Sequence, residues 1–390
     1  MNNPTYITNI AQVPQLSASE KESLTTVTDR FAFRTNSYYQ SLIDWTDPDD
    51  PIRRIIVPNV GELANWGTLD ASNEGCYTVA PGIEHKYPST ALLLVTDICG
   101  GYCRFCFRKR LFMDDNEEVP KDIGPGIKYI REHAEISNVL LTGGDPLTLS
   151  TRRLSEVLKQ LTAIDHVRVV RIGTKMLALN PLRVINDATL PEMVRQFSAG
   201  ICIYVMAHFN HPRELTPEAI EALRLMRSAG AVIVNQTPLI HGVNDDPAVL
   251  SELLDTLSFI GVAPYYVFQC RPTLGNEIYS VPIEQGYGIV TLAQSRCSGL
   301  AKRCRFVMSH DTGKVEVVGR SHEMVFMRYH QAVHSRDIGR MLVLKSNPEA
   351  RWLDDYGEIA VGRDQGPTHK IGAMPPCNGD AAQSASSSVR

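Results

Sequence analysis

The sequence predicts an α/β fold: a partial (β/α)6 barrel with a helical N-terminal extension and a small C-terminal region. Two observations predict the barrel. Short β-branched or leucine-rich runs recur along the middle of the chain, and amphipathic helical stretches lie between them. This alternation is typical of βαβ units that build a parallel sheet. In such folds the chemistry is found at the carboxyl ends of the strands.

Individual elements follow from the same pattern. Predicted barrel strands are Leu92–Thr96, Val139–Thr142, Val167–Ile172, Ile201–Met206, Val232–Asn235 and Tyr265–Gln269. Predicted helices between them are Ser150–Leu161, Pro191–Phe197, Thr216–Ser228 and Ala248–Leu257. A further helix is expected at Ser17–Phe31, before a turn-rich connector that begins at Asp44. After the barrel, RFVMSHDTGKVEVVG predicts two strands around a glycine-containing turn.

Four stretches describe the expected organisation. They are residues 1–80 (N-terminal extension and connector), 81–305 (barrel), 306–365 (C-terminal region) and 366–390 (a disordered tail). The tail is rich in Ser, Ala and Pro, a composition that cannot bury enough apolar surface to fold.

Composition excludes several classes of protein. The chain has 390 residues, 43% hydrophobic and 21% charged, unlike a disordered chain or a coiled coil. Its 39 basic and 43 acidic residues give a net charge of −4, so no nucleic-acid partner is expected. No apolar run has the roughly 20 residues that cross a bilayer, and the first residues do not resemble a signal peptide. We therefore expect a cytoplasmic protein without a membrane partner.

Three cysteines follow the first predicted barrel strand. Cys99, Cys103 and Cys106 are spaced C-x3-C-x2-C within TDICGGYCRFCFRKR. In a reducing compartment a tight cysteine cluster indicates a metal site or catalysis. A [4Fe–4S] cluster takes four thiolates, so three would leave one iron open to a chelating molecule, as in radical S-adenosylmethionine (SAM) enzymes. The alternatives are a zinc knuckle with a distant fourth ligand, whose usual spacings differ, and unligated core cysteines.

Two more motifs accompany this loop. GGDPL, within Thr142–Leu147, ends the second predicted strand, and HFNHP, at His208–Pro212, ends the fourth. Together with the cysteine loop they resemble the lysine 2,3-aminomutase family of radical SAM enzymes, from about Asp47 to about Gly319. The resemblance implies a [4Fe–4S] cluster, SAM, pyridoxal 5′-phosphate (PLP), a small amino acid substrate, an electron donor such as flavodoxin or ferredoxin, and allows a homo-oligomer.

The resemblance also implies where SAM would bind. Gly143, Gly144 and Asp145 are similar to the segment that binds the methionyl amine of SAM, although Asp145 could instead cap the next helix. The segment Arg171–Thr174 is similar to a family segment that lines the SAM pocket, and His208 and Gln236 are implied in the SAM or PLP pocket.

Lys314 is the candidate lysine for PLP. The family has a lysine in a glycine-rich stretch there, which forms the internal aldimine and needs an amine that can lose its proton. This chain has a single glycine before Lys314, so the alternative of a plain hairpin-turn lysine stays open. Lys86 and Tyr87 are similar to family positions near the PLP ring and phosphate.

Charged residues are expected to select the substrate. Arg108 is similar to the family arginine that holds the substrate α-carboxylate. Arg271 stands where lysine 2,3-aminomutases have an aspartate that meets the substrate ammonium, and Ser309 stands at the second acidic position. Like charges about 4 Å apart cost about 4 kcal/mol at an effective dielectric constant of about 20, or about a thousandfold in affinity. An acidic or amide-bearing substrate is therefore expected, unless Arg271 pairs with an internal carboxylate such as Asp311.

The predicted function is an isomerase: a PLP-dependent radical SAM 2,3-aminomutase that moves an amino group from C2 to C3 of an amino acid. Alternatives are lysine 2,3-aminomutase proper, a radical SAM enzyme of this fold without PLP, and a non-enzymatic iron–sulfur sensor. No structural zinc is expected, because Asp246 and a lone Cys377 replace the cysteines that family members use for it.

Overall fold

A computed structural model of the chain describes residues 2–113 and 116–357. The expected disordered tail at 366–390 and the last part of the C-terminal region lie outside these residues. The described strands are β1 (Tyr6–Ile7), β2 (Thr35–Asn36), β3 (Thr78–Ala80), β4 (Ile83–Tyr87), β5 (Thr90–Thr96), β6 (Asn138–Gly143), β7 (Val169–Thr174), β8 (Cys202–Ala207), β9 (Val232–Leu239), β10 (Ala263–Gln269), β11 (Arg305–His310), β12 (Gly313–Arg320), β13 (Met324–Ala332) and β14 (Met341–Lys345). The α-helices are α1 (Ala18–Arg30), α2 (Ser37–Gln40), α3 (Pro51–Ile56), α4 (Gly124–Glu132), α5 (Thr151–Thr162), α6 (Met176–Leu179), α7 (Leu182–Ile185), α8 (Thr189–Ser198), α9 (Pro217–Ser228), α10 (Pro247–Phe259) and α11 (Ile283–Arg296).

One twelve-stranded sheet organises the molecule, with strands β3 to β14 hydrogen-bonded in sequence order. From β5 to β11 the neighbouring strands are parallel. At both ends the sheet continues with antiparallel strands, β3 and β4 on one side and β12 to β14 on the other. The predicted α/β barrel strands are therefore confirmed as β5 to β10, and the predicted C-terminal hairpin is β11 and β12.

Side-chain alternation along the barrel strands separates an outer from an inner face. Leu141 in β6, Ile172 in β7 and Val205 in β8 are 0% exposed and belong to the core shared with the helices. Their strand neighbours, such as Thr142 and Arg171, are only partly buried. Because successive side chains of a strand point to opposite faces, these neighbours line the interior of the barrel.

The helices have local reasons to form where they do. Ser150 caps α5 by accepting a hydrogen bond from the Arg153 amide (3.2 Å), the usual role of serine at that position. Apolar residues then recur at helical spacing and are buried against the sheet: Leu154, Val157, Leu158 and Leu161. This packing places the loops after the strands, and their functional residues, at one end of the barrel.

Side chains join the two ends of the long sheet. Lys86 in β4 donates a hydrogen bond from Nζ to the His310 carbonyl at the end of β11 (2.7 Å). The Tyr77 hydroxyl donates to the Asp311 carbonyl in the next turn (2.7 Å). These contacts bring β4 against the β11–β12 turn, so the sheet curls into a barrel and the C-terminal hairpin closes it.

The N-terminal extension contains one long helix, α1, and otherwise short helical turns. A capping box at Ser17 and Glu20 starts α1. The last residues of the stretch already belong to the main sheet, because β3 pairs with β4. Within the described part of the chain, no helix combines the length and apolar composition needed to span a membrane.

Candidate active site

The cysteine loop leaves the carboxyl end of β5 and brings its three thiols together. The charge of a Cys106 or Cys103 thiolate would act directly on Cys99. Removal from water raises the pKa of all three thiols, that of Cys103 to about 12. Such thiols bind as thiolates when a metal supplies positive charge. In residues 2–113 and 116–357 no group of three or more Cys, His, Asp or Glu is arranged around a single ion. The enclosed thiols fit a multi-iron cluster, which spreads its ligands over several irons.

Two glycines at the end of β6 hold the start of this loop. Gly144 donates its amide hydrogen to the Thr96 carbonyl (2.6 Å). Gly143 has a φ of 115°, and a Cβ there would lie 2.3 Å from the Thr96 carbonyl oxygen. A Cβ on Gly144 would lie 2.3 Å from the carbonyl oxygen of Ile98, the residue before the first cysteine. The strand end predicted to contact SAM therefore packs directly on the cysteine loop.

Asp145 uses its carboxylate inside the protein. The carboxylate accepts hydrogen bonds from the amide nitrogens of Leu147 (3.0 Å), Lys175 (2.7 Å) and Met176 (3.0 Å), and from the Thr174 hydroxyl (2.7 Å). Burial raises its pKa to about 6 despite these donors. The side chain is thus arranged as a cap that joins the loops after β6 and β7, and the segment meets the rest of the site through its backbone.

Lys175 fixes the HFNHP loop after β8. Its Nζ donates to the His208 carbonyl (3.0 Å), to Asn210 Oδ1 (2.6 Å) and to Glu214 Oε1 (2.5 Å). The Tyr39 hydroxyl of α2 donates to the same Glu214 oxygen (2.5 Å). This network was not predicted from the sequence, because its members come from three segments that are far apart in the chain.

His208 is held as a neutral imidazole beside the cysteine loop. Burial, and secondarily the charge of Lys175, lowers its pKa to about 3. Its ring meets Phe105 of the cysteine loop edge-on, with centroids 6.4 Å apart. Gln236 lies on the interior face of β9, opposite Tyr266 of β10 in the sheet register.

Lys314 reaches from the C-terminal hairpin into the barrel. Its Nζ lies 4.5 Å from the ring centre of Tyr266 and 5.7 Å from that of Phe268, both on β10. Removal from water, reinforced by the charges of Arg171, Arg271 and Lys86, lowers its pKa to about 7. This environment gives the lysine a neutral amine near physiological pH, unlike an ordinary turn lysine.

The single glycine before Lys314 allows two strands to approach closely. Gly313 has a φ of 154°, and a Cβ there would lie 2.3 Å from the Gln331 carbonyl oxygen of β13. Only glycine lets β12 start this close to β13. Ser309 stands directly opposite Lys314 in the hairpin register.

Lys86 and Tyr87 lie on the other side of Lys314. The Lys86 ammonium lies 4.9 Å from the ring centre of Tyr77 and 5.8 Å from that of Tyr87. Burial, and then the charge of Arg271, lowers the pKa of Lys86 to about 8. Burial raises the pKa of Tyr87 to about 12, so its hydroxyl remains a neutral donor.

Arg108 is held by carboxylates that the sequence analysis missed. Its Nε and Nη2 donate to Glu74 (3.0 and 2.8 Å), its Nη1 donates to Thr142 Oγ1 on the interior face of β6 (3.1 Å), and Glu84 lies 3.5 Å away. Burial opposes ionisation of Glu74, but the charges of Arg108 and Arg271 lower its pKa to about 2. Burial raises the pKa of Glu84 to about 7. Glu84 could have been predicted from the sequence, because strand alternation places it on the same face of β4 as Lys86.

Arg271 lies beside Arg108 and shares its partner. Its guanidinium is 3.7 Å from the ring centre of Phe107, donates a hydrogen bond to Ser72 and lies 3.8 Å from Glu74 Oε1. Its internal carboxylate is therefore Glu74. The pairing with Asp311 considered from the sequence is not formed, because Asp311 lies 2.7 Å from His310 Nδ1.

Comparison with known proteins agrees with this geometry. Residues 93–254 match the family model described as the Radical SAM superfamily. A protein of Aquifex aeolicus (strain VF5) named "Putative L-lysine 2,3-aminomutase" is 56% identical over 91% of this chain and 96% of its own length. The "L-lysine 2,3-aminomutase" of Clostridium subterminale is 34% identical over 94% of this chain and 86% of its own length. The "Glutamate 2,3-aminomutase" of Clostridioides difficile (strain 630) is 35% identical over 77% of this chain and 70% of its own length.

The matched region contains the three cysteines and the glycines that support them. Membership of the radical SAM superfamily implies a [4Fe–4S] cluster and SAM. The similarity to aminomutases extends over nearly the full length of the Aquifex protein. The chain therefore belongs to the lysine 2,3-aminomutase family of radical SAM enzymes, as the sequence motifs predicted, and is a radical SAM aminomutase of the lysine and glutamate 2,3-aminomutase type.

Proposed function

We propose that the protein is a PLP-dependent amino acid 2,3-aminomutase that converts an α-amino acid with an acidic or amide side chain into its β-amino isomer. One observation carries the proposal: Lys314 extends an amine with a pKa of about 7 into the same barrel that the three-cysteine loop closes. A lysine forms a Schiff base through its neutral amine. The relatives support the reaction type, since their names include both lysine and glutamate 2,3-aminomutase.

The residues present fit the three cofactors. When bound, the reduced cluster and SAM supply a 5′-deoxyadenosyl radical, and PLP carries the migrating nitrogen. Cys99, Cys103 and Cys106 would hold three irons of the cluster. Lys314 would hold PLP covalently, with Lys86 near its ring and phosphate. A flavodoxin or ferredoxin would serve as the electron donor.

SAM would lie between the cluster loop and the strand ends. The backbone of Gly143, Gly144 and Asp145 touches that loop, and the neutral ring of His208 meets it from the other side. Gln236 would offer its amide from the interior face of β9. His208 would orient SAM without adding charge, because its ring is neutral, while the Asp145 carboxylate would act by holding the backbone of its own segment in place.

The substrate proposal rests on charge. Arg108 and Arg271 share one strongly ionised carboxylate, Glu74, and Glu84 supplies only part of a second charge near neutral pH. Guanidinium groups do not lose their protons in proteins. This side of the barrel therefore favours anions. Arg108 would hold the α-carboxylate and Arg271 the side chain, with Ser309 near Lys314 as a neutral contact and Asp311 held away by His310.

Anaerobic turnover of a panel of free amino acids tests the substrate. Lysine, arginine, glutamate, aspartate, glutamine and asparagine compete for wild-type enzyme and for Arg271→Asp. We expect wild type to prefer acidic or amide side chains, and Arg271→Asp to lose that preference or move it toward lysine. Wild type that prefers lysine, with the preference unchanged in Arg271→Asp, would show that Arg271 does not read the side chain.

Two further readouts test the reaction type. Lys314→Ala should lose the covalent PLP adduct that borohydride fixes in wild type, while Lys302→Ala, a change at an exposed lysine, should keep it. SAM cleavage by the reduced protein without an amino acid product would instead favour a radical SAM enzyme with other chemistry. An intact cluster without SAM cleavage would favour an iron–sulfur sensor.

A further inference from the structure

Arg171 is a cation without a partner inside the barrel. It lies in β7 between Val170 and Ile172, which are 0% exposed on the outer face, so its own side chain points inward. Among residues 2–113 and 116–357 its side chain forms no hydrogen bond and no ion pair, and its buried Nε has no acceptor. The neighbouring interior arginines, Arg108 and Arg271, both form ion pairs with Glu74 (2.8 and 3.8 Å).

The surroundings of Arg171 belong to the lysine side of the site. The Arg171 charge acts on Lys314, and the two tyrosines of β10, Tyr265 and Tyr266, act on Arg171. The charges that act on Cys99 and Cys103 come instead from groups such as Asp145 and Lys175. The guanidinium therefore faces the space next to the Lys314 amine.

We propose that Arg171 binds the phosphate group of PLP, an inference that rests on the proposed PLP-dependent function. A guanidinium presents a planar fork of N–H donors that matches two phosphate oxygens. A partner for a buried cation must be an anion, because an unpaired charge in the protein interior is costly. PLP attached to Lys314 would bring a phosphate dianion into the same space. The carboxylates of the substrate would be held by other cations of the proposed site, Arg108 and Arg271.

PLP and pyridoxal, which lacks the phosphate, provide the test. Each is titrated into wild type, Arg171→Met and Arg171→Lys, and the covalent adduct is measured by absorbance and by mass after borohydride reduction. Loss of a charge-assisted hydrogen bond typically reduces affinity about tenfold or more. We therefore expect Arg171→Met to weaken PLP binding by about tenfold or more and pyridoxal binding by less than about twofold. Arg171→Lys, which keeps the charge but not the fork, should lie between.

The matched control is Arg168→Met, an exposed arginine just before β7, which should bind both aldehydes as wild type does. Equal losses for PLP and pyridoxal in Arg171→Met, or no loss for either, would overturn the proposal. Weakened SAM binding with unchanged PLP binding would overturn it too and would assign Arg171 to the SAM carboxylate. Wild type that forms no adduct at Lys314 would refute the PLP-dependent function itself, an outcome distinct from an Arg171 variant that binds PLP normally.

Discussion

The two faces of the cysteine loop are built from similar parts and behave differently. Behind the loop, Arg104 donates to Glu62 (2.8 to 3.2 Å) and to the Ala32 carbonyl (2.9 Å), and Lys109 lies 3.8 Å from the same carboxylate. In front of it, Arg108 donates to Glu74. Behind the loop, two cations therefore surround one buried carboxylate, Glu62. In front, three arginines surround Glu74, because Arg110 also pairs with it (2.7 Å) and Arg271 lies 3.8 Å away.

The chemistry of the additional cations makes the difference. Behind the loop the additional cation is Lys109, whose pKa burial lowers to about 8, so surplus positive charge there can be lost as a proton. In front the additional cations are Arg110, which also pairs with Glu118 (2.7 Å), and Arg271, and a guanidinium cannot lose its proton in a protein. The back can therefore balance its charge alone and serves as support. The front keeps its guanidinium charges, so further balance there comes from a carboxylate, either Glu84 when it ionises or a bound anion, which is what a binding site for carboxylate or phosphate requires.

The largest effect should come from the loop that separates the two faces. Cys103→Ala should abolish both iron binding and SAM cleavage, because two thiolates would remain where the cluster needs three. Iron and sulfide content and anaerobic formation of 5′-deoxyadenosine measure this. The control Cys202→Ala, at an exposed cysteine, should retain both. A full iron complement in Cys103→Ala would contradict the cluster assignment.

Disrupting the Arg104–Glu62 ion pair behind the loop should cost the most stability. Glu62→Gln leaves the Arg104 guanidinium buried without its carboxylate, and loss of one partner of a buried pair typically costs about 3–5 kcal/mol. Thermal and urea unfolding of the purified protein measure it. Glu192→Gln, which removes the exposed partner of Arg195, is the matched control and should change stability by less than about 1 kcal/mol. Similar stability of the two variants would mean that the Arg104–Glu62 pair does not support the cysteine loop.

Disrupting the Arg108–Glu74 ion pair in front of the loop should cost less stability and should alter ligand binding. In Glu74→Gln, Arg108 keeps Glu84, 3.5 Å away, so we expect a loss of about 1–3 kcal/mol. The two arginines then lack their main internal counter-charge, so an acidic amino acid should raise the melting temperature more in Glu74→Gln than in wild type. If the acidic amino acid raises the melting temperature of Glu74→Gln no more than that of wild type, Arg108 and Arg271 do not form an anion-binding site.

The last effect concerns pH and Lys314 and is confined to a window of pH. Its pKa falls from 10.5 to about 7 on folding, so between those values the unfolded chain binds a proton that the folded protein does not. Stability contributed at this position therefore rises with pH across that window. Lys314→Met should be more stable than wild type near pH 6, and the advantage should fade toward pH 10. Melting temperatures across this range measure it, with Lys302→Met showing no such trend.

The parts of the molecule that depend on local pattern could be predicted from the sequence. Strand and helix positions followed from apolar periodicity, and the cysteine loop from its spacing. The loop's immediate environment could not, because its partners are distant in the chain. Glu62 and Glu74 come from the N-terminal extension, where no periodicity distinguishes them from surface acids. Arg271 was singled out as a charge near the site, but its pairing with Glu74 depends on how the sheet curls.

The distant origin of the loop's supports also has a consequence for the order of events during synthesis. The Tyr102 amide donates a hydrogen bond to the Arg34 carbonyl (2.9 Å), and Arg34 leaves the ribosome before the loop does. Asn276, which donates to the Phe105 carbonyl (2.9 Å), follows Phe105 by 171 residues and leaves the ribosome much later. At about 5–20 residues per second, the cysteines wait for roughly 10–35 s before that last support exists. We expect iron to be delivered to a nearly complete barrel and not to the nascent chain, so a pulse of iron starvation should leave apoprotein that is folded and can still be loaded.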